Sequence, residues 1–137
     1  MAKILIADAD EGIRRVIAET LQDFGHTLFM AEDGNKAMEI IQANSVHVVL
    51  ADRELPAKDG MEILQEVKNN RLKASVVIML GMDDEDAEEI LDAGAFATLS
   101  KPFNVQEIRR IISEAIPHSM QALTETVRQE TKSDETE

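Results

Sequence analysis

Four acidic residues and one lysine have the types and the spacing for phosphoryl chemistry. Asp8 and Asp10 form one acidic pair, Asp52 and Glu54 form another, and Lys101 lies far from both along the chain. Carboxylates that converge without a counter-charge repel one another unless a cation lies between them, and a site made of oxygen ligands favours Mg²⁺. A lysine adds a fixed positive charge that can hold a phosphoryl oxygen. Carboxylate, hard cation and lysine together indicate transfer of a phosphoryl group to an aspartate.

Short apolar segments precede these residues and are typical of buried strands. Nearly continuous, β-branched apolar runs suit strands that are covered on both faces of a parallel sheet. We expect three such strands at 4–7, 46–51 and 76–80, and two weaker ones at 27–30 and 96–99. Asp8, Asp52, Gly81 and Lys101 each come just after a predicted strand, within two residues of its end. Parallel pairing would therefore bring these four residues to the carboxyl edge of one sheet.

Helical periodicity fills the segments between the predicted strands. Apolar residues recur at helical spacing, with Val16 in the stripe of the first helix and Leu91 in that of the fourth. The last helix has the clearest limits, since Asn104 is a good N-cap and Pro117 is expected to end it. Five strands alternating with five helices predict a doubly wound α/β sheet with right-handed crossovers.

Composition and charge exclude several functional classes. The chain has 137 residues, 44% of them hydrophobic, which is enough for one domain with a real core. Its 14 basic residues against 27 acidic ones give a net charge of -13, so direct binding to nucleic acid or to an anionic membrane is not expected. The absence of cysteine excludes disulfides and thiolate chemistry. We expect a soluble, cytoplasmic protein.

The excess acid is unevenly distributed along the chain. Positions 83–92 hold seven acids and no base. We interpret them as a solvated helix face, with recognition of a basic partner as the alternative. Residues 118–137 are polar and acidic, which indicates a frayed helix or a linker after a domain at 1–117.

In its motifs the chain resembles the receiver domain of two-component response regulators. The segments that carry the resemblance are 48–52, which ends in Asp52, then 55–60, 93–95 and 101–103, in order and at family-like spacing. The resemblance covers residues 3–116 of the chain. It implies a flavodoxin-like sheet with strand order 2-1-3-4-5.

The resemblance also implies roles for particular residues. Asp52 would be the phosphoacceptor, Lys101 would contact the phosphoryl group, and Asp8 would belong to the acidic pocket. The ligands of Mg²⁺ would be Asp8, Asp52 and the backbone carbonyl of Glu54, and the peptide before Pro102 would be cis. The domain would signal rather than act as an enzyme. Its partners would be a sensor histidine kinase or phosphotransfer protein and a downstream protein.

Three positions depart from the family pattern. Ala9 replaces a carboxylate that binds the metal directly, so Mg²⁺ binding should be weak. Gly81 replaces the Ser or Thr whose hydroxyl follows the phosphoryl group, and Thr98 replaces the aromatic residue that changes rotamer. A switch needs an element with two states that ligands distinguish, so the resemblance implies a receiver with weakened switching.

Two alternatives to a phosphorylated receiver stay open on the sequence. The first is a pseudo-receiver that binds a partner independently of phosphate through the face of its fourth helix, fifth strand and fifth helix. A homodimer through the same face is a further partner that the resemblance allows. The second is a phosphatase, because Asp8 and Asp10 also resemble the D-x-D motif of haloacid-dehalogenase-type enzymes. There Asp8 would be the nucleophile and Asp10 the general acid and base.

Overall fold

The computed structural model describes residues 2–119 and contains a parallel sheet of five strands in the order β2-β1-β3-β4-β5. This order and the alternation of strands with helices confirm the fold expected from the sequence. In chain order the elements are β1 Lys3–Ala7, α1 Glu11–Leu21, β2 Thr27–Ala31, α2 Gly34–Ala43, β3 Val48–Asp52, α3 Gly60–Asn69, β4 Ser75–Leu80, α4 Ala87–Asp92, β5 Ala97–Ser100 and α5 at 105–119.

Helices cover both faces of the sheet, which explains why its strands are so apolar. Helices α1 and α5 pack against one face, and α2, α3 and α4 pack against the other. The central strands β1, β3 and β4 therefore bury nearly all their side chains. None of the helices within residues 2–119 is long and apolar enough to cross a membrane.

Side-chain caps fix where most of the helices begin. Asp10 accepts hydrogen bonds from the backbone N–H groups of the first turn of α1, and Asp33 and Asp59 do the same for α2 and α3. Asn104 caps α5 as expected, accepting from Gln106 N at 2.7 Å. Such caps satisfy N–H groups that have no partner inside the helix. Helix α4 differs, because Asp86 stands at its N-cap and makes no capping bond.

The ends of two elements differ from those expected from the sequence. Strand β3 begins at Val48 and not at Val46, because the N–H of Val46 turns back to Asn44 O at 2.5 Å. Helix α5 does not end at Pro117 but continues to Ser119. Proline removes only one hydrogen bond, whereas Ser119 is buried and its hydroxyl donates to Lys73 O at 2.6 Å.

The apolar stripes are narrower than predicted. Val16 is 50% exposed and Leu91 is 43% exposed, so both lie on the solvent side of their helices. The helix α4 is also shorter than the acidic segment that suggested it, because residues 83–86 form a loop.

Two histidines hold the start of β1 in place. His26 Nδ1 accepts the backbone N–H of Ala2 at 3.2 Å, and His47 Nδ1 accepts that of Lys3 at 3.0 Å. Burial, followed by the charge of Lys3, lowers the pKa of His47 below its ordinary value of 6.5. Both bonds require a ring nitrogen without a proton, so neutral imidazoles stabilise this end of the sheet.

His47→Ala should lower the free energy of unfolding by about 1 kcal/mol at pH 8, the contribution of one hydrogen bond. A base whose pKa is lowered by folding contributes its full stability above its unfolded pKa and loses it as the pH falls through the folded one. The difference between wild type and His47→Ala should therefore shrink as the pH falls below 6.5. Urea unfolding at pH 8 and pH 5 measures both values, and an equal difference at the two pH values would contradict the assignment.

Candidate functional site

The first residue of the site, Asp8, follows β1 and is only 1% exposed. Its Oδ1 accepts the backbone N–H of Asp10 at 2.9 Å. Its own backbone is held on both sides, since its N–H donates to Ala31 O at 3.1 Å and its carbonyl accepts from Arg14 Nη1 at 2.6 Å. The sheet and α1 therefore fix this carboxylate at the carboxyl edge.

Asp52 is the last residue of β3 and lies at the same edge. Its side chain is 18% exposed, and its Oδ1 accepts the N–H of Glu54 at 3.1 Å. The close approach of α3 supports the strand end from behind. A Cβ at Gly60 would lie 2.8 Å from Asp52 O and 3.0 Å from the Cα of Arg53, so only glycine fits there without a shift.

Lys101 joins the two carboxylates. Its Nζ lies 2.9 Å from Asp8 Oδ2 and 2.9 Å from Asp52 Oδ2. Burial by itself lowers the pKa of this amine, but the hydrogen bonds and charges of Asp8 and Asp52 outweigh burial, so the pKa of Lys101 is raised. The ammonium is therefore firmly charged at neutral pH. The peptide between Lys101 and Pro102 is cis, as expected.

The four acidic side chains singled out in the sequence do not all converge. Asp10 points its carboxylate into the N-terminus of α1, where it accepts from Gly12 N at 2.7 Å. Glu54 is exposed. Only Asp8 and Asp52 converge, and Lys101 neutralises half of their charge. Within residues 2–119 no three Asp, Glu, His or Cys side chains gather closely enough to hold a metal ion by themselves.

The three departures from the family pattern lie around this centre. Ala9 is exposed in the loop after β1, and Gly81 is exposed directly after β4. A Cβ at Gly81 would find Asp84 Oδ2 at 3.5 Å, an ordinary contact, so the position has room for a side chain that it lacks. Thr98 is half-buried in β5.

Sequence reasoning missed an ion-pair network beside the site. Arg53 extends from the loop after β3 to the loop after β4, where its Nη1 and Nη2 pair with the two oxygens of Asp86 at 2.7 and 2.5 Å. Its Nη1 also lies 3.3 Å from Asp84 Oδ1, and Asp84 Oδ2 accepts the N–H of Gly81 at 2.7 Å. We name Arg53, Asp84 and Asp86 the clasp.

The clasp accounts for part of the acidic segment. Asp84 and Asp86 are about one quarter exposed, at 22% and 26%, so they are not simply solvated charges. The sequence contains a signal for this pairing, because seven acidic residues without a basic one favour an ion pair with a cation from elsewhere in the chain. The spacing of the residues does not predict that this cation is Arg53, because Arg53 and Asp86 are 33 residues apart.

The chain is similar to known proteins over most of its described length. Residues 4–113 match the family model described as the response regulator receiver domain. Sporulation initiation phosphotransferase F of Bacillus subtilis is 34% identical over 116 residues, which cover 84% of this chain and 94% of that protein. The DNA-binding transcriptional regulator NtrC of Salmonella typhimurium is 31% identical over 116 residues, but this chain spans only 25% of it.

Solved structures give the same result. A response regulator receiver domain protein from Clostridium thermocellum superposes with a TM-score of 0.81 at 30% identity, covering 89% of this chain and 99% of that one. Matches in sequence and in structure thus cover the sheet, its helices and the edge that carries Asp8, Asp52 and Lys101.

Proposed function

Because this chain belongs to the response regulator receiver domain family, we propose that it accepts a phosphoryl group on Asp52 and thereby changes its contacts with partner proteins. The observation that carries the proposal is the position of Asp52, which lies at the carboxyl edge with Lys101 Nζ 2.9 Å from its Oδ2. The partly exposed carboxylate is open to a donor, and the lysine lies where phosphoryl charge would develop.

In the proposed reaction a carboxylate oxygen of Asp52 attacks phosphorus. The new O–P bond forms as the bond between phosphorus and the donor breaks, and the donor leaves with its electron pair, as acetate when acetyl phosphate is used. Lys101 stabilises the negative charge on the phosphoryl oxygens, and Asp8 keeps the lysine in place. Glu54 N, which donates to Asp52 Oδ1 at 3.1 Å, orients the carboxylate.

Receiver domains bind Mg²⁺ at the site of phosphorylation. The residues here fit that ion, since Mg²⁺ is commonly held by one or two carboxylates with water and phosphate oxygens. Asp8, Asp52 and the backbone carbonyl of Glu54 would hold it, and the bound ion would neutralise phosphoryl charge. Ala9 offers no oxygen ligand in its side chain, so we propose that the affinity is low.

Receiver domains interact with histidine kinases and with downstream effector domains. We propose a sensor histidine kinase or a phosphotransfer protein as the phosphoryl donor, and a protein that contacts the face of α4, β5 and α5 as the recipient of the signal, with a homodimer through that face as one form. The boundary expected after residue 117 lies too early, because Ser119 is buried and bonded to Lys73, so we propose that the receiver domain includes residues up to Ser119. The rest of the expected tail, 120–137, lies outside the described residues. The family match at 4–113 lies inside that domain.

A pseudo-receiver that binds its partner without phosphate is the second candidate. The observation that favours it is the loss of three groups around the site, a metal ligand at Ala9, a hydroxyl at Gly81 and an aromatic ring at Thr98. The phosphatase alternative has lost its support. Its general acid and base, Asp10, is engaged as the N-cap of α1.

Intact-mass measurement after treatment with acetyl phosphate tests the proposal. We expect one phosphoryl adduct that increases with Mg²⁺ and is absent from Asp52→Asn. Asp33→Asn is the matched control, because it makes the same chemical change at the N-cap of α2, where asparagine also caps well. An adduct that persists in Asp52→Asn, or no adduct at any Mg²⁺ concentration, would contradict phosphorylation of Asp52, and the second result would favour the pseudo-receiver.

A further inference from the structure

The clasp connects the residue after Asp52 to the loop that precedes α4. The backbone of Arg53 cannot move far, because its N–H donates to Met79 O at 3.0 Å and its carbonyl accepts from Gly60 N at 3.0 Å. The guanidinium is the part of Arg53 that is free to change partners. At present it holds Asp86 through two parallel bonds, the strongest geometry for an arginine and a carboxylate.

The start of α4 offers Asp86 a second set of partners, the backbone N–H groups of the first helical turn, to which its side chain is not bonded. Asp86 occupies the N-cap of α4, yet its carboxylate goes to Arg53 and makes no bond to the helix. Its backbone reflects this, with φ -104° and ψ 30°. The capping residues Asp10, Asp33 and Asp59 are extended, with ψ of 115°, 171° and 174°. To cap α4, Asp86 would have to leave Arg53 and turn its backbone, and the loop at 81–86 would move with it.

A phosphoryl group on Asp52 would compete with Asp86 for the guanidinium of Arg53. A phosphoryl group on Asp52 adds roughly -1.5 to -2 charges next to Arg53, whose Cα is about 3.8 Å along the chain from that of Asp52. Lys101 is already shared between two carboxylates. Guanidinium pairs with phosphate at least as well as with carboxylate, so the new charge competes for Arg53 and also repels Asp84 and Asp86.

We propose that the clasp replaces the missing hydroxyl of position 81 as the switch, an inference that rests on the proposed phosphorylation of Asp52. Without phosphate, Arg53 binds Asp86 and leaves α4 uncapped. With phosphate, Arg53 turns to the phosphoryl group, and Asp86 caps α4. The element has two states, and the phosphoryl group distinguishes them through a contact that exists in only one.

Two substitutions at one position separate this switch from a merely structural ion pair. Asp86→Asn removes the charge that binds Arg53 but keeps a side chain that caps well, whereas Asp86→Ala removes both. In the unphosphorylated protein, Asp86→Asn should slow the amide hydrogen exchange of Glu88 and Glu89 about fivefold, which a cap worth about 1 kcal/mol gives. Asp86→Ala should not slow it. Arg53→Gln should act like Asp86→Asn, because it frees Asp86 to cap.

Wild-type protein treated with acetyl phosphate and Mg²⁺ should show the same slowing at Glu88 and Glu89, with the adduct counted by intact mass in the same sample. Equal exchange in Asp86→Asn and Asp86→Ala would overturn the capping state even if Arg53→Gln failed to fold. An adduct without a change at Glu88 and Glu89 would overturn the switch and leave phosphorylation standing. No adduct would overturn the phosphorylation of Asp52 and the switch with it.

Discussion

Replacement of Ala9 by aspartate should tighten Mg²⁺ binding by about 10- to 100-fold, since even outer-shell groups change metal affinity by that much. The new carboxylate would stand beside Asp8 at the end of β1 and would give the ion a third side chain. Ala9 is exposed, so the substitution costs no packing. Isothermal titration with MgCl₂ measures the affinity, and phosphorylation by acetyl phosphate should increase in parallel.

Melting temperatures without and with Mg²⁺ test whether the added charge causes the tighter Mg²⁺ binding of Ala9→Asp. Without metal, Ala9→Asp adds repulsion to Asp8 and Asp52, so its melting temperature in EDTA should fall below that of wild type and rise above it in Mg²⁺. Asp10→Asn keeps the cap of α1 and should leave Mg²⁺ affinity unchanged, because Asp10 points away from the site. A loss of affinity in Asp10→Asn would place that carboxylate among the ligands.

Removal of the ammonium at position 101 should be the most destabilising single change at the site. Lys101→Met would leave Asp8, 2% exposed at its side chain, and Asp52 facing one another without a cation. Breaking a buried pair costs about 3–5 kcal/mol, and the partial exposure of Lys101 reduces this to about 2–3 kcal/mol. Urea unfolding at pH 8 measures the loss, with the exposed Lys36→Met as control.

The effect of Asp8→Asn on stability tests whether the stability lost in Lys101→Met is due to charge. Asp8→Asn should destabilise wild type, where it removes a partner of Lys101, and should stabilise Lys101→Met, where it removes repulsion. The pKa of Lys101 is raised by folding, so its contribution is complete below the ordinary value of 10.5 and is lost as the pH rises through the raised one. Loss of stability in Lys101→Met that is unaffected by Asp8→Asn would indicate packing, not charge.

The sheet was predictable because strands that are buried on both faces consist of nearly continuous apolar residues. Runs such as 76–80 are apolar and rich in β-branched residues, and the structure places them in interior strands of the sheet. Helix limits were less predictable. Pro117 is a good stop signal, but the bond from Ser119 to Lys73 outweighs it, and that bond joins residues 46 positions apart.

The candidate site was likewise predictable from the sequence only in part. Residues that follow strands could be placed together because parallel topology fixes where strand ends meet, and Asp8, Asp52 and Lys101 do meet. Side-chain direction could not be read in this way. Asp10 precedes a helical stripe and follows a strand by three positions, so spacing allowed both a cap and a ligand, and the structure has the cap.

The far end of β4 has a mechanical consequence. Ser75, its first residue, donates to Ala115 O at 3.3 Å, and Ser119 donates to Lys73 O just before the strand. Strand β4, buried throughout and about 20 Å long at about 3.3 Å per residue, is thus attached to α5 at one end and leads to the clasp at the other. Tension on the chain beyond Ser119 would act first on these two hydrogen bonds and on the packing of α5, because α5 follows the edge strand β5 and lies between that tension and β4.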